Sequence, residues 1–160
     1  MASKSLTIAV RIECPAWRTT WPKAGSDIRA LLRTAARRPE VAGQAIGEVA
    51  VVLADDARLQ ELNNRFRAKN RPTNVLSFPD PQIPLGGMAL AHETVFREAK
   101  AQKKPVIRHS NHLILHGFLH LLGYDHHSAQ AARLMEGLEV AILSTMGIPN
   151  PYVPRARSRA

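Results

Sequence analysis

Cysteine is nearly absent from this chain, which has Cys14 alone among its 160 residues. One cysteine cannot form an intrachain disulfide, and its isolation removes the thiolate clusters of most structural zinc sites. No apolar run approaches the ~20 residues that cross a bilayer, and the first residues lack the pattern of a secretory signal peptide. We therefore expect a cytoplasmic protein that has no membrane partner.

Acidic residues are also scarce, with 13 Asp and Glu against 22 Lys and Arg, a formal net charge of +9. A small basic protein is typical of one that binds a polyanion, and RNA or DNA is favoured over an anionic membrane. The alternative is that the composition of the genome sets this charge. The length predicts a single domain, which we assign to residues 1–154, with 155–160 as a disordered basic tail.

The hydrophobic periodicity predicts an α/β (α+β) fold, in which a mixed sheet of about four short strands packs with about five helices. Ser26 and Asp55 or Asp56 are the expected N-caps of the first two helices. A proline-rich loop separates the last two strands. The predicted strands are 6–13, 46–54, 74–78 and 88–92, and the predicted helices are 26–38, 56–66, 93–102, 106–122 and 128–146.

The most informative segment is the histidine-rich run from 116 to 126. His116 and His120 are four residues apart, so their rings lie on one face of a helix. Gly123 can end that helix in a left-handed conformation, and the turn would bring His126 to the same point. Three imidazoles and one open position form a catalytic zinc site. The spacing matches the zinc segment of metzincin proteases, except that Gly117 replaces their general-base Glu.

The other histidines are weaker candidates for ligands. His112 extends a row with His116 and His120, but such a row drifts by about 40° per step around the helix. His126 is therefore the better third ligand, and His112 is expected to support a ligand or to pack beside one. His109 and His127 are expected to face solvent. The sequence thus predicts one Zn²⁺ per chain, on a helix and the turn that follows it.

A second informative segment places four cations at alternate positions where a helix meets a loop. Arginine presents a planar fork of donors that matches the oxygens of a phosphodiester, so this segment could clamp a phosphate. Cations are also favourable at a helix C-terminus for structural reasons alone, and a solvated basic loop is the alternative. The four side chains, all candidates for RNA contact, are Arg65, Arg67, Lys69 and Arg71.

Together the two segments resemble the YbeY family of bacterial ribosomal-RNA maturation factors, which are zinc-dependent endoribonucleases. The resemblance spans roughly residues 45–152. It is carried by Leu62-Asn63, Phe66-Arg67, the run from Pro72 to Pro79, Leu85-Gly86, His116-Gly117, the run from Leu121 to His126, Met135-Glu136, Glu139 and Asn150-Pro151-Tyr152.

The resemblance implies the roles of several residues and the partners of the protein. His116, His120 and His126 correspond to the zinc ligands of the family, and Arg67 to its functionally important arginine, which faces the metal. The implied activity is cleavage of single-stranded RNA in maturation of the 16S rRNA 3′ end and in ribosome quality control. The implied partners are the 16S rRNA precursor and the small ribosomal subunit or its proteins.

The chain departs from the family pattern at two places. Gly87 stands where the family usually has Asp, which puts any role of that carboxylate in doubt. The stretch 127–133, which is usually acidic, carries no acidic residue here. The rim near the metal is therefore less negative, which favours the approach of RNA.

The group that transfers the proton is not defined by the sequence. Without Glu at 117, the candidates are water activated by the metal, Asp125 and the 2′-hydroxyl of the RNA. Asp125 could instead orient a ligating imidazole, which is the role we favour. Two other functions are compatible with the pattern: a metalloprotease with an unusual base, and a non-catalytic ribosome-assembly factor with a structural zinc.

If Arg67 clamps the scissile phosphate, Arg67→Glu should abolish RNA cleavage without loss of metal. Arg67→Lys should also be impaired, because an ammonium cannot make a two-pronged contact. The loss of such a contact costs about 3 kcal/mol in the transition state, on the order of a hundredfold in rate.

Neutralising Arg65, Lys69 or Arg71 provides the control, since each should lower RNA affinity only modestly and leave turnover nearly unchanged. A uniform small effect on turnover at all four positions would show that Arg67 is one of several diffuse charges.

Overall fold

The computed structural model describes residues 5–67 and 73–152, without the side chains of 66 and 67. Within these ranges the chain forms four strands and seven helices. In chain order they are β1 (Leu6–Ile12), α1 (Ala16–Thr20), α2 (Ala24–Ala36), α3 (Pro39–Ala42), β2 (Gly47–Ala54), α4 (Asp56–Arg67), β3 (Val75–Asp80), β4 (Ile83–Ala91), α5 (His92–Ala101), α6 (Val106–Leu121) and α7 (Ala129–Thr145).

The strands form one mixed sheet in the order β1-β2-β4-β3. β2 runs parallel to both β1 and β4, whereas β3 and β4 form an antiparallel hairpin. Parallel neighbours require crossover connections. Helices α1–α3 lie in the connection from β1 to β2, and α4 and β3 lie in that from β2 to β4. The predicted α+β class, with a four-stranded mixed sheet, is confirmed.

The two faces of the sheet are covered by different helices. On one face, large side chains such as Val51 and Met88 join the main core with residues of α2, α6 and α7. On the other face, Ala89 and Ala91 leave room for α4, which contributes Leu59 and Leu62 to a smaller core. Alternation along β4 thus sends large residues to one side and small ones to the other. Helix α6 is thereby fixed against β3 and β4, where the histidine-rich segment begins.

The connection from β1 to β2 contains two short helices that periodicity did not predict. In α1, Trp17 is fully buried and its indole Nε1 donates to the Ala54 carbonyl at 2.8 Å. The first predicted helix was expected to span 26–38, but α2 ends at Ala36 and Pro39 begins α3. A proline at the first helical position loses no hydrogen bond, which explains the new start. Ser26 is not an N-cap, since α2 begins at Ala24 and the Ser26 hydroxyl donates to the Lys23 carbonyl.

The predicted proline-rich loop is mostly strand. β3 continues to Asp80 and β4 starts at Ile83, so only two residues separate the strands. Pro79 lies at a register shift between Phe78 and Asp80. A proline is tolerated there because β3 is an edge strand and the irregularity spares a ladder hydrogen bond.

His109 is buried, contrary to the expectation that it faces solvent. Only 5% of its surface is exposed, and its Nε2 lies 3.0 Å from Oε1 of Glu98. The Glu98 carboxylate also accepts from the Asn74 side chain at 3.0 Å. Burial lowers the pKa of His109 even though the Glu98 carboxylate opposes that shift. His109 and Glu98 therefore tie α6 and α5 to the residue that precedes β3.

None of the helices within residues 5–67 and 73–152 combines the length and the apolar character that a membrane span requires.

Helix α6 approaches β3 closely at Gly117. The Ser77 hydroxyl donates to the Gly117 carbonyl at 3.0 Å. A Cβ added at Gly117 would lie 3.0 Å from Ser77 Oγ and 3.3 Å from Met88 Sδ. The absence of a side chain at 117 thus permits the helix to rest on the sheet beside the histidines.

We expect Gly117→Ala to destabilise the protein relative to Gly137→Ala by about 1–3 kcal/mol in the free energy of unfolding. Both glycines lie inside long helices, so both substitutions gain about 0.5–1 kcal/mol in helix propensity. A Cβ at Gly137 meets nothing within 4 Å, whereas one at Gly117 must displace buried atoms. Chemical denaturation of the two variants measures the difference, and equal stability would refute the packing argument.

Candidate metal centre

Gly123 ends helix α6 and turns the chain back, as predicted. Its φ is +101°, a left-handed conformation that favours glycine. The Gly123 N–H donates to the His120 carbonyl at 3.0 Å, and the Tyr124 N–H donates to the Leu119 carbonyl at 3.0 Å. These two bonds form a Schellman motif. The turn directs the next residues toward the helix face that carries His116 and His120.

Three histidines converge at this turn. His116, His120 and His126 each offer one ring nitrogen, and these atoms lie within 4.8 Å of one another. The ring centroids are 4.5 Å apart for His116 and His120, and 5.0 Å for His120 and His126. His116 and His120 are half-buried and His126 is exposed. The structure therefore brings together the three residues that the spacing singled out.

Hydrogen bonds determine which nitrogen of each helical histidine carries the proton. His116 Nδ1 lies 2.7 Å from Oε2 of Glu139, and His120 Nδ1 lies 2.9 Å from the Tyr124 carbonyl oxygen. A carbonyl can only accept, and so can an ionised carboxylate, so both Nδ1 atoms donate. In the neutral rings, both Nε2 atoms then present lone pairs.

The two Nε2 atoms face each other at 3.0 Å, which is repulsive between lone pairs. A shared proton or a metal ion would relieve this repulsion. Burial and the neighbouring His116 lower the pKa of His120, which disfavours the proton. Nitrogen ligands on a tetrahedral ion at ~2.0–2.1 Å lie roughly 3.3 Å apart. The donor set therefore fits a metal ion.

A buried carboxylate supports the ligands from helix α7. Glu139 is fully buried, and its oxygens lie close to His116, to His112 (3.2 Å from Nε2) and to the Tyr152 hydroxyl. Burial opposes ionisation of Glu139, but the hydrogen bonds from these three groups outweigh it and hold its pKa at about 2. Burial and the adjacent carboxylate raise the pKa of the Tyr152 phenol. Glu139 is thus an anion that fixes the orientation of His116.

The histidines lie along one wall of a cleft of about 470 Å³. The cleft is also lined by Thr73, Asn74 and Ser77 at the start of β3 and by Asn63 of α4. These residues offer hydroxyl and amide groups, which can bind a phosphate or a ribose. The cleft is therefore large and polar enough to hold part of a nucleic-acid strand next to the three ligands.

The other predicted site residues are only partly placed. Arg65 is exposed on α4. The Arg67 side chain, Lys69 and Arg71 lie outside the described residues, so their roles stay predictions. Asp125 accepts from the backbone N–H of His127 at 3.1 Å, while the bonds that orient His116 and His120 come from Glu139 and from Tyr124.

The outlying histidines and the supporting residues were predicted with mixed success. His127 is exposed, as expected. His112 lies between Glu139 and Tyr152, which agrees with its expected place beside a ligand. The supporting contacts of Glu139 and Tyr152 were not predicted, although both residues belong to the matching pattern. The sequence signal that could have revealed the role of Glu139 is the position of a carboxylate on the apolar face of a helix.

Gly87 cannot be replaced in this chain without a local rearrangement. A Cβ there would lie 2.7–2.8 Å from two ring carbons of Phe78. The Phe78 ring thus occupies the space in which a side chain at 87 would begin.

Fold and cluster together define an α+β protein with a tri-histidine cluster that could hold a metal ion. The family model described as endoribonuclease YbeY matches residues 13–147. A Bradyrhizobium sp. protein named endoribonuclease YbeY is 46% identical over 140 residues, which are 81% of this chain and 82% of that protein. Its namesake from Rhodopseudomonas palustris is 42% identical over 157 residues, 92% of this chain and 82% of that one. The chain belongs to the endoribonuclease YbeY family.

A solved structure shows the same fold. The solution structure of a Thermotoga maritima protein matches with a TM-score of 0.58 over 94% of this chain and 99% of that one, at 22% identity. The arrangement of strands and helices is therefore found in an experimental structure with a distant sequence.

Replacement of a ligand should remove the metal while the fold persists, because the two cores do not depend on it. We expect His126→Ala to lose most bound metal and His127→Ala to keep it, since the two side chains are adjacent in sequence and only His126 joins the cluster. Elemental analysis of the purified variants measures the metal. Retention of metal in His126→Ala would show that the third ligand is wrongly assigned.

Glu139→Gln should weaken metal binding by about 10–100-fold, because it removes the charge that orients His116. Glu136→Gln is the control, since it removes the same charge one helical turn earlier. Competition with a chelator gives the affinities. Equal effects of the two substitutions would show that only the net charge matters.

Proposed function

We propose that this protein is a zinc-dependent endoribonuclease that cleaves single-stranded RNA in maturation of the 16S rRNA 3′ end and in ribosome quality control. The observation that carries the proposal is the convergence of the His116 and His120 Nε2 lone pairs with His126 beside a polar cleft. Membership of a family whose relatives are named endoribonucleases supports the substrate class.

Zinc is favoured by the chemistry of the ligands. Three imidazoles suit Zn²⁺, and magnesium or calcium would require oxygen ligands. Within residues 5–67 and 73–152, the cluster contains three ligand side chains and no fourth, as in catalytic rather than structural zinc sites. Bound there, Zn²⁺ would supply a Lewis acid for a phosphoryl oxygen and lower the pKa of a water to about 7.

Residues of the chain would position the RNA and the ligands. Glu139 and the Tyr124 carbonyl hold the imidazoles of His116 and His120. Thr73, Asn63 and Ser77 line the same cleft with polar side chains. We assign to Arg67 the stabilisation of negative charge that develops on the phosphate. The candidates for proton transfer are Asp125, a water that the metal would activate, and the 2′-hydroxyl chemistry of the RNA, whose proton would pass to one of the first two.

The charge of the protein agrees with an RNA substrate. A formal net charge of +9 attracts a phosphate backbone. The segment after His126 adds no acidic residue up to position 133, which makes the rim beside the histidine cluster less negative and favours the approach of a polyanion. We further propose that the protein acts in the cytoplasm, with the small ribosomal subunit or its proteins as partners that present the RNA.

Protease activity is disfavoured by packing at Gly117. The metzincins carry their general base at the corresponding position. A side chain here would start against Ser77, Met88 and Val75, in the contact between α6 and the sheet. A Glu there would have to displace Ser77 Oγ and Met88 Sδ, which would lie 3.0 and 3.3 Å from its Cβ.

The experiment compares metal-loaded and chelator-treated protein on single-stranded RNA, structured RNA and casein. We expect metal-dependent cleavage of single-stranded RNA with little sequence preference, because the metal-ligand motif provides no base-reading pocket, and we expect no cleavage of casein. His120→Ala should abolish cleavage, and restoration of activity by Zn²⁺ in the chelated wild type would identify the ion.

Other outcomes separate the alternatives. Hydrolysis of casein with intact RNA would establish a protease. Metal-loaded protein that binds RNA tightly and cleaves none would establish an assembly factor with a structural metal.

A further inference from the structure

A second basic surface lies on helix α2, away from the histidine cluster. Arg33 lies in the last turn of this helix and Arg37 is its C-cap residue, one turn further on, and both are exposed. They border a depression of about 300 Å³, whose remaining lining is apolar: Leu6, Ala36, Ala42 and Ala45. Two guanidinium groups thus flank a shallow, uncharged hollow.

The charges of these two arginines are not neutralised by nearby carboxylates. In the part of the chain that the structure describes, the arginines in salt bridges are Arg11, Arg38 and Arg58. The one hydrogen bond that Arg33 makes to the backbone is long, 3.4 Å to the Leu6 carbonyl. The guanidinium groups therefore keep donors available for an anion.

The depression and the metal centre lie at the same end of the sheet. Leu6 of β1 pairs with Gly47 of β2, and a Cβ at Gly47 would touch Pro84 at the start of β4. Gly86, two residues after Pro84 in β4, lies against Leu121, the residue that follows the ligand His120. The path from the depression to the end of α6 crosses two strand spacings, roughly 10 Å.

Helix α3 connects the two places directly. It contributes Ala42 to the depression, and its Glu40 carbonyl accepts from the Tyr124 hydroxyl at 3.1 Å. The carbonyl of the same tyrosine accepts from His120 Nδ1. One residue of the metal turn therefore contacts both a ligand and the helix that borders the basic depression.

The geometry points to Arg33 and Arg37 as a second contact for the RNA backbone, which holds phosphates of a strand whose scissile bond lies in the metal cleft. This inference rests on the proposed function. RNA is the occupant because paired arginine forks match phosphate oxygens. Proteins that bind single-stranded nucleic acid contact several nucleotides at once, so one RNA strand can reach both sites.

The test measures binding and cleavage of a trinucleotide and of a single-stranded RNA of about twelve nucleotides, a length within the range of such sites. The variant is Arg33→Gln/Arg37→Gln. The control is Arg97→Gln/Arg108→Gln, which removes the same charge from α5 and from the start of α6. Arg108 is twelve residues before His120, about 18 Å along the helix.

We expect the α2 double variant to bind the longer RNA about tenfold more weakly at ~0.1 M salt, with a salt slope reduced by about 1.4. KM for this RNA should rise while kcat, trinucleotide cleavage and metal content stay unchanged. The control should change each quantity less than twofold. Arg37→Gln alone should give a smaller shift in the same direction, which keeps the test valid if loss of Arg33 perturbs folding.

Equal weakening in the two double variants would overturn the inference, because diffuse charge would then suffice. Unchanged affinity for the longer RNA would also overturn it, including the case in which the α2 variant instead loses binding to anionic vesicles or an acidic peptide. Affinity is measured separately from cleavage. Wild-type protein that binds RNA without cutting it would therefore refute the proposed function and leave the inference about Arg33 and Arg37 to the binding data. Wild-type protein that binds no RNA would refute both the proposed function and the inference about Arg33 and Arg37.

Discussion

The metal centre depends on one buried anion. The Glu139 carboxylate is the acceptor that fixes the proton of His116 on Nδ1, and this in turn aims the Nε2 lone pair at His120. Removing a carboxylate from water costs several kcal/mol unless hydrogen bonds replace the lost solvation. His112, His116 and Tyr152 provide that replacement. The same contacts join α6, α7 and the segment after α7. The Glu139 carboxylate therefore supports both the packing of these elements and the orientation of the ligand His116.

The two helical ligands are oriented by different means. His116 is held by a charged side chain from another helix, whereas His120 is held by the backbone of the turn that follows its own helix. The backbone contact arises directly from the left-handed conformation of Gly123. His120 therefore depends on local geometry, and His116 on tertiary packing. Both arrangements leave the metal-facing nitrogen unprotonated without help from the metal.

Local patterns predicted the local structure well. The strands before the hairpin, the long helices and the turn at Gly123 follow from periodicity and from the needs of a helix end. The Ser128 cap of α7 follows in the same way. Short elements such as α1 were not predicted, because five residues are too few to show a periodic pattern. The stability of α1 comes instead from buried Trp17. The extent of the hairpin was missed because prolines were taken as a break, although an edge strand tolerates them.

The parts of the site that depend on tertiary contacts could not be predicted in this way. Convergence of three histidines was encoded in spacing alone. The role of Glu139 could not be predicted from spacing, because its partners lie 23 and 27 residues away along the chain. His109 was misjudged for a similar reason, since its partner Glu98 belongs to another helix. A polar residue on an apolar helix face reveals that a partner exists, but not which one.

The close contact at Gly117 has an evolutionary consequence. Ligand spacing alone would place this chain one substitution from the metzincin pattern. That substitution, however, would put a side chain between a helix and the sheet that carries it. The side chains of Ser77 in β3 and Met88 in β4, 3.0 and 3.3 Å from the new Cβ, would have to shift with it. The close contact between α6 and the sheet therefore opposes this single substitution, and helps to keep the chain apart from the other class of hydrolase.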